Sequence, residues 1–243
     1  MNLKKIKNKI EKIEGFLSIK EGILLYNLAR NCQGKGVIVE IGSYKGKSTA
    51  WLAMGSKSGK KVKIYTIDSH KSLGMPGEEG KDTFLDFKRN MEYMEAEDIV
   101  IPIVKTSKEA AENFKEPVEL IFIDGSHKYE DVKMDFELWY PKVIDGGIMA
   151  FHDTVGWPGP EKVVEEFIFK SNNFKDVGFV DSITFAKKAK NIGKLDLIRT
   201  HYVYVIKKLY ANIRKFKNYF KNYLPSPVKR ALKKLLIFFL TFK

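Results

Sequence analysis

The stretch VEIGSYKGKSTAWLA, residues 39–53, joins an apolar segment to a helical one through a turn that contains two glycines. Its Gly-Lys-Ser-Thr ending is shared with phosphate-binding P-loops, but a P-loop needs four residues between its glycines. Only three separate Gly42 from Gly46, and the dinucleotide fingerprint G-x-G-x-x-G also fails because Ser43 and Tyr44 follow Gly42. The stretch therefore predicts a strand-to-helix turn whose backbone approaches a ligand closely without binding a triphosphate.

Strand and helix patterns alternate on both sides of this turn. Apolar runs typical of buried parallel strands lie at 36–41, 62–67, 99–104, 118–123 and 147–151. Helical patterns lie at 47–57, 81–95, 107–115, 128–140 and 161–170, and residues 177–186 form a hairpin pattern. This alternation predicts an α/β fold with a doubly wound, mostly parallel sheet and helices on both faces.

Charge divides the 243-residue chain into a nearly neutral body and a basic tail. Residues 201–243 contain eleven Lys or Arg and no Asp or Glu, whereas residues 1–200 contain 32 basic and 30 acidic side chains. Helical spacing of Leu3, Ile6, Ile10 and Ile13 indicates a helix before the sheet, and residues 19–33 indicate another. We therefore expect an N-terminal helical segment (1–34), a cofactor-binding domain (35–189) and a basic amphipathic helical tail (190–243).

The tail predicts two amphipathic helices. The first stripe of apolar residues is Val205, Leu209, Ile213, Phe216, Phe220 and Tyr223. After Pro225-Ser226-Pro227, the second is Val228, Leu232, Leu235, Leu236 and Phe239. Basic amphipathic helices with aromatic side chains suit the surface of an anionic membrane, and we expect residues 201–243 to bind there. The alternatives are docking of the stripes on the body or on a second subunit, and binding of RNA.

The cysteine content and the apolar segments of the chain bear on the cellular compartment. Cys32 is the single cysteine, so no disulfide can form within the chain, and the first fifteen residues lack the apolar core of a signal peptide. The apolar run 235–240 is too short to span a bilayer. We expect a cytoplasmic protein, peripheral on the inner face of the cell membrane.

Carboxylates follow the first two strands of the predicted sheet. Glu40 stands beside the glycine turn and Asp68 ends the next strand in IYTIDSH. A carboxylate at the second position commonly accepts hydrogen bonds from ribose hydroxyls, and a carboxylate beside the glycines favours a cationic ligand over pyrophosphate. These features predict a nucleoside with positive charge and no phosphate, for which S-adenosylmethionine is the obvious candidate.

With these motifs the sequence resembles the class I S-adenosylmethionine-dependent methyltransferases. The resemblance rests on E-x-G-x-x-x-G, on Asp68 and on FIDGSHKYEDVKMDFELWYPKVIDGGIMAFHD, and it covers roughly residues 13–188. The most similar branch is that of macrocin and catechol O-methyltransferases, which act on small molecules and sugars. The resemblance implies a Rossmann-like sheet of seven strands with an antiparallel last strand.

The resemblance also implies roles for individual residues. Glu40, Gly42 and Gly46 would line the methionine end of the cofactor, and Ser43 and Ser48 would also bind the cofactor. Asp68 would bind the ribose, Ser107 would contact adenine, and Asp124 would also face the cofactor. From the residues alone, Ser107 is equally explained as a helix N-cap, and a helix or loop cap is the less favoured alternative for Asp68.

Asp124 and Asp153 end neighbouring strands and are predicted to meet. Two close carboxylates repel each other unless they share a proton or a cation, and enzymes similar to catechol O-methyltransferase place Mg²⁺ at such positions. Those enzymes carry an Asn after the second carboxylate, where this chain has Thr154. Methyl transfer also needs a base for the acceptor proton, for which we favour His152 over His127.

The sequence leaves the acceptor and the reaction open. A small molecule or a saccharide, including lipid-linked or polysaccharide glycans, is the expected acceptor, with Trp157 as a residue that could stack on a sugar ring. An RNA methyltransferase, a nicotinamide-dependent oxidoreductase, a non-catalytic membrane-associated module and a hydroxylase are the alternatives. The glycine-rich segment 72–82 is either a lid over the site or an ordinary surface loop.

Overall fold

The computed structural model describes residues 2–71, 82–220 and 227–228, without the side chains of residues 217–220. The strands are β1 (Val37–Ile41), β2 (Ile64–Ile67), β3 (Val100–Ile103), β4 (Val118–Ile123), β5 (Val143–Phe151), β6 (Phe174–Val180) and β7 (Ile183–Lys188). The α-helices are α1 (Leu3–Ile10), α2 (Ile19–Arg30), α3 (Lys47–Lys57), α4 (Phe84–Tyr93), α5 (Ser107–Asn113), α6 (Tyr129–Trp139), α7 (Pro158–Val164) and α8 (Lys194–Phe220). The predicted lid segment, Tyr223 of the first tail stripe and the second tail stripe lie outside these residues, except for residues 82 and 228.

All seven strands form one sheet in the order β3-β2-β1-β4-β5-β7-β6. The strands from β3 to β5 are parallel, and β7 runs antiparallel to both β5 and β6. The chain order reverses between β1 and β4, which is where doubly wound sheets bind their ligands. The predicted fold class, including the antiparallel last strand, is confirmed.

The N-terminal helices share a core with one face of the sheet. Ile6, Ile10 and Leu25 pack in one cluster with Trp51 of α3. A Cβ added at Gly22 would lie 2.2 Å from the Trp51 indole nitrogen, so the glycine lets α2 approach α3 closely. The division at residue 34 stays a prediction, and α1 and α2 form a layer of the same core.

Helix α7 begins earlier in the chain than the sequence pattern predicts, and α8 begins within the predicted tail. Helix α7 starts at Pro158, because a proline in the first helical turn has a suitable φ and needs no intrahelical N–H bond. It continues as a π-helical turn, Glu165–Phe169. Helix α8 starts at Lys194, inside the helical tail predicted for residues 190–243, and it packs against β6. Its inner face carries Lys207, which is buried.

Candidate active site

The glycine turn between β1 and α3 passes directly over the end of β4. Gly42 has φ +83° and Gly46 has φ +89°, backbone conformations that side chains disfavour. A Cβ at Gly42 would lie 2.3 Å from the carbonyl oxygen of Asp124. The turn thus needs glycine both for its conformation and for the close approach of two backbones at the carboxyl edge of the sheet.

Asp68 at the end of β2 holds this turn in place. The N–H groups of Ser43 and Tyr44 donate to its Oδ2 at 2.9 and 2.8 Å, and the N–H of His70 donates to its Oδ1 at 2.7 Å. The carboxylate therefore shapes the glycine turn from the neighbouring strand. Its predicted contact with a ribose stays a prediction.

Glu40 lies beneath the turn and is fully buried. Burial raises the pKa of its carboxyl group to about 8, against hydrogen bonds from Ser48 and Thr49. Its Oε1 and the hydroxyl of Ser43 lack a hydrogen-bond partner among the described residues. Buried polar atoms normally have a partner, so these two atoms at a ligand-binding edge fit a polar ligand such as the amino-acid part of a nucleoside cofactor.

Ser107 stands at the start of α5, and the helix is capped by its neighbour. Thr106 forms a capping box with Glu109, so the cap interpretation of Ser107 is wrong by one residue. The Ser107 hydroxyl accepts a hydrogen bond from the Trp139 indole N–H at 2.9 Å. It also bonds Asp135 of α6, whose burial raises the pKa of its carboxyl group to about 6. An adenine contact of Ser107 stays a prediction.

Four of the predicted site residues meet at the ends of β4 and β5, namely Asp124, His127, His152 and Asp153. The Nδ1 atom of His152 lies 2.9 Å from Asp124 Oδ1 and 3.3 Å from Asp153 Oδ2, while its Nε2 lies 3.6 Å from Glu21 Oε1. His152 is only 6% exposed. On the outer side of Asp153, His127 Nε2 lies 2.8 Å from the same Oδ2 atom.

The acidic side chains around His152 favour its protonated form. Burial alone would lower its pKa, but Asp124, Asp153 and Glu21 outweigh that effect and raise the pKa to about 12. In turn, His152 and a hydrogen bond from Ser182 overcome burial and lower the pKa of Glu21 to about 2. A buried imidazole thus joins acidic side chains drawn from three parts of the chain.

His127 occupies a more open position in the same cluster. Its side chain is 40% exposed, and its ring stacks on Trp157 with the ring centres 4.1 Å apart. Because Nε2 faces the Asp153 carboxylate, the N–H proton belongs on Nε2, and the Nδ1 lone pair can accept a proton. This is the pairing of carboxylate and imidazole that general bases use.

The predicted magnesium ligands, Asp124 and Asp153, both contact the His152 imidazole. Asp124, His152 and Asp153 each offer one ligand atom within 4.8 Å of one another, but Mg²⁺ prefers oxygen ligands in an octahedron. The Thr154 hydroxyl donates to the Ser182 carbonyl oxygen at 2.8 Å and lies 2.6 Å from the Thr184 hydroxyl, so it faces the β6–β7 hairpin. The imidazolium of His152 already supplies a positive charge to both carboxylates.

Glu21 and Asp135 belong to this region although the sequence did not single them out. The Ser-Ile-Lys-Glu pattern at 18–21 signals a capping box, which the structure contains. The same Glu21 carboxylate accepts hydrogen bonds from the Ser182 N–H and hydroxyl. The pattern reveals the cap, but nothing in it indicates a contact with His152.

Sequence comparisons place a known domain over this region. Residues 39–154 match the family model described as a methyltransferase domain. An uncharacterised protein of Sinorhizobium fredii is 31% identical over 122 residues, which cover 48% of this chain and 13% of that protein. An uncharacterised protein of Acanthamoeba polyphaga mimivirus is 28% identical over 137 residues, or 54% and 57% of the two chains. The chain thus spans between about an eighth and somewhat over half of these relatives.

Solved structures share the fold. The O-methyltransferase TomG of Streptomyces achromogenes, in complex with S-adenosylmethionine, is 17% identical with a TM-score of 0.55, covering 76% of this chain and 86% of that one. An O-methyltransferase of Bacillus cereus, with S-adenosylhomocysteine, is 17% identical with a TM-score of 0.55, covering 77% and 92%. The S-adenosylhomocysteine-bound methyltransferase PaMTH1 of Podospora anserina is 15% identical with a TM-score of 0.57, covering 77% and 87%. The fold expected from the resemblance is confirmed.

Proposed function

We propose that this chain, which carries a methyltransferase domain on the class I fold, transfers a methyl group from S-adenosylmethionine to a hydroxyl group. The observation that carries the proposal is the glycine turn, pressed on the carbonyl of Asp124, beside a cluster of carboxylates and histidines at the same edge of the sheet. The methyltransferase-domain match supports it, and so do the O-methyltransferases of the same fold crystallised with this cofactor or its product.

The residues of the turn would hold the cofactor. When bound, S-adenosylmethionine supplies a methyl carbon on a sulfonium. The acceptor oxygen would attack that carbon in line with the C–S bond, with the sulfur as leaving group. Gly42 and Gly46 keep the backbone open for its methionine end, and Ser43 lies between them in the same turn. Ser48 lies in the first turn of α3, and the buried Glu40 underlies the glycine turn. Asp68 and Ser107 stand at the neighbouring strand ends for the ribose and adenine.

His127 would take the proton of the acceptor hydroxyl. Asp153 orients its imidazole by accepting the Nε2–H, and the carboxylate stabilises the imidazolium that forms when Nδ1 gains the proton. As the C–S bond breaks and the O–CH₃ bond forms, that proton leaves the acceptor and S-adenosylhomocysteine is the other product.

His152, favoured by the sequence argument, has a different part in this proposal. The neighbouring acidic groups raise its pKa to about 12, which favours the protonated form, and both of its ring nitrogens face acidic side chains. It would instead position Asp124 and Asp153 by donating between them. Magnesium at these carboxylates stays a prediction of the resemblance, and no step of this mechanism passes through it.

The acceptor we propose is a hydroxyl of a saccharide, on a small molecule or a lipid-linked or polysaccharide glycan. Trp157 supports a saccharide, because it is half exposed beside His127 and aromatic faces stack on sugar rings. The basic tail supports a lipid-linked substrate and a peripheral position on the inner face of the cell membrane. An RNA acceptor remains the second candidate of the sequence argument.

The decisive experiment is incubation of the protein with methyl-labelled S-adenosylmethionine and fractionated cell extract. Label in the lipid or glycan fraction supports the proposal, and the His127→Asn variant should abolish it while still binding S-adenosylhomocysteine in calorimetry. Label in the RNA fraction would show that the acceptor is RNA and not a saccharide. Cofactor binding without label in any fraction would indicate a non-catalytic module.

A further inference from the structure

Helix α8 presents an apolar stripe to solvent along most of its length. Its members recur every three, four or seven residues, which places them on one side of the helix. Their exposure ranges from 40% to 69%, and they are Leu195, Ile198, Tyr202, Val205, Leu209 and Phe216. We call this set the outer stripe. It starts ten residues before the stripe that the sequence predicts.

The opposite side of α8 fixes the helix on the body. Thr200, Lys207 and Ala211 are buried there. The Lys207 ammonium donates to the carbonyl oxygen of Thr154 at 2.6 Å. Lys208 pairs with Glu161 and Glu165 at 3.0 and 2.8 Å. These contacts determine the rotation of α8, so the docked helix itself turns the outer stripe towards solvent.

Helix α8 carries many basic residues and a single acidic one, Asp196. Asp196 is the last acidic residue of the chain, and twelve Lys or Arg follow it. Lys194 and Arg199 are exposed and stand near the two edges of the outer stripe on the helical wheel. The outer stripe is therefore an apolar surface bordered by cations, in a part of the chain without acids after residue 196.

We propose that the outer stripe of α8 docks on an anionic lipid bilayer. Apolar side chains with cationic neighbours match the boundary between acyl chains and negative headgroups. A second copy of the chain would bring like-charged helices together, because the sequence from residue 197 offers no acidic partner. RNA would use the cations and leave the apolar residues in water.

Docking through this surface would bring the bilayer close to the candidate active site. Lys207 bonds Thr154, which follows Asp153, from the side of α8 opposite the outer stripe. The membrane would then lie about 10 Å beyond this bond, the diameter of a helix with side chains. The proposal does not depend on methyl transfer, so vesicle binding and catalysis can fail separately.

The test is flotation of the full chain with vesicles of phosphatidylcholine containing phosphatidylglycerol, and with phosphatidylcholine alone. We expect the protein to float with the anionic vesicles only. Ile198→Gln/Tyr202→Gln/Val205→Gln should lower the affinity at least tenfold, and Arg199→Gln should lower it about fivefold. The matched control Leu85→Gln changes an exposed apolar residue of α4 and should shift the affinity less than twofold.

Three outcomes would overturn the proposal. The first is wild-type protein that stays unbound to anionic vesicles at low salt. The second is equal flotation of the triple variant, which would assign lipid binding to another part of the tail. The third is a dimer in sedimentation analysis that the triple variant converts to monomer, which would assign the outer stripe to a second copy. Unchanged circular dichroism of the triple variant confirms that it is folded.

Discussion

The different roles of His152 and His127 predict opposite responses to the same substitution. His152→Asn keeps a neutral donor near the position of Nδ1 but removes the positive charge from among three carboxylates at 2.9, 3.3 and 3.6 Å. Removing one partner of a buried ion network costs about 3–5 kcal/mol of unfolding free energy. In a domain of this size each kcal/mol lowers the melting temperature by roughly 2–4 °C. We therefore expect a decrease of about 6–20 °C.

His127→Asn should affect turnover instead. The His127 side chain, which pairs with Asp153, is 40% exposed. Exposed ion pairs contribute only about 0–1 kcal/mol to the free energy of unfolding. The melting temperature should then fall by less than about 4 °C. The loss of a positioned base should lower the turnover number about 10²–10⁴-fold.

Differential scanning calorimetry and label transfer to the identified acceptor measure the two effects. His201→Asn, an exposed histidine of α8, is the matched control and should change neither quantity. Equal melting temperatures for the His152 and His127 variants would refute the assignment of the buried charge. A His127 variant that keeps more than a third of its turnover would remove His127 as the base.

Three further predictions test the turn, the buried carboxylate and the metal. Gly42→Ala should abolish calorimetric binding of S-adenosylhomocysteine, because the new Cβ would lie 2.3 Å from the carbonyl oxygen of Asp124. Gly146 has a similar φ but open space around it, so Gly146→Ala should keep full binding. Equal losses of binding in the two variants would refute the steric clash at Gly42. Glu21 has a pKa lowered to about 2, so its stabilising effect is present above pH 4.5 and is lost as the pH falls towards 2. The melting temperature of Glu21→Gln should thus depend less on pH in that window than that of the wild type, and parallel curves would contradict this. Excess chelator should leave methyl transfer intact, whereas loss of activity that Mg²⁺ restores would favour the metal site at Asp124 and Asp153.

Local sequence patterns were sufficient to predict the secondary-structure elements and most of the sheet. Apolar runs of five or six residues predicted β1 and β4 within one residue, because a strand buried on both faces needs side chains of one kind throughout. Strand β5 begins at Val143, four residues earlier than predicted, since its first part contains Asp145 and two glycines that interrupt the apolar run. Parallel strands share a carboxyl edge, and this rule predicts that Asp124 and Asp153 lie close together.

The sequence by itself determined the alternation of strands and helices, the glycine turn and the set of polar residues at the strand ends, because each depends on neighbours along the chain or on the rule of parallel strands. Only the tertiary structure decided what those residues can do. Glu21 reaches His152 across 131 positions of sequence, and this contact, with burial and two aspartates, turns a candidate base into a fixed cation. Similarly, Lys207 has no local signal for burial, and only the docking of α8 directs it to Thr154. Desolvation and long-range charge depend on distances in space, which periodicity along one chain does not record.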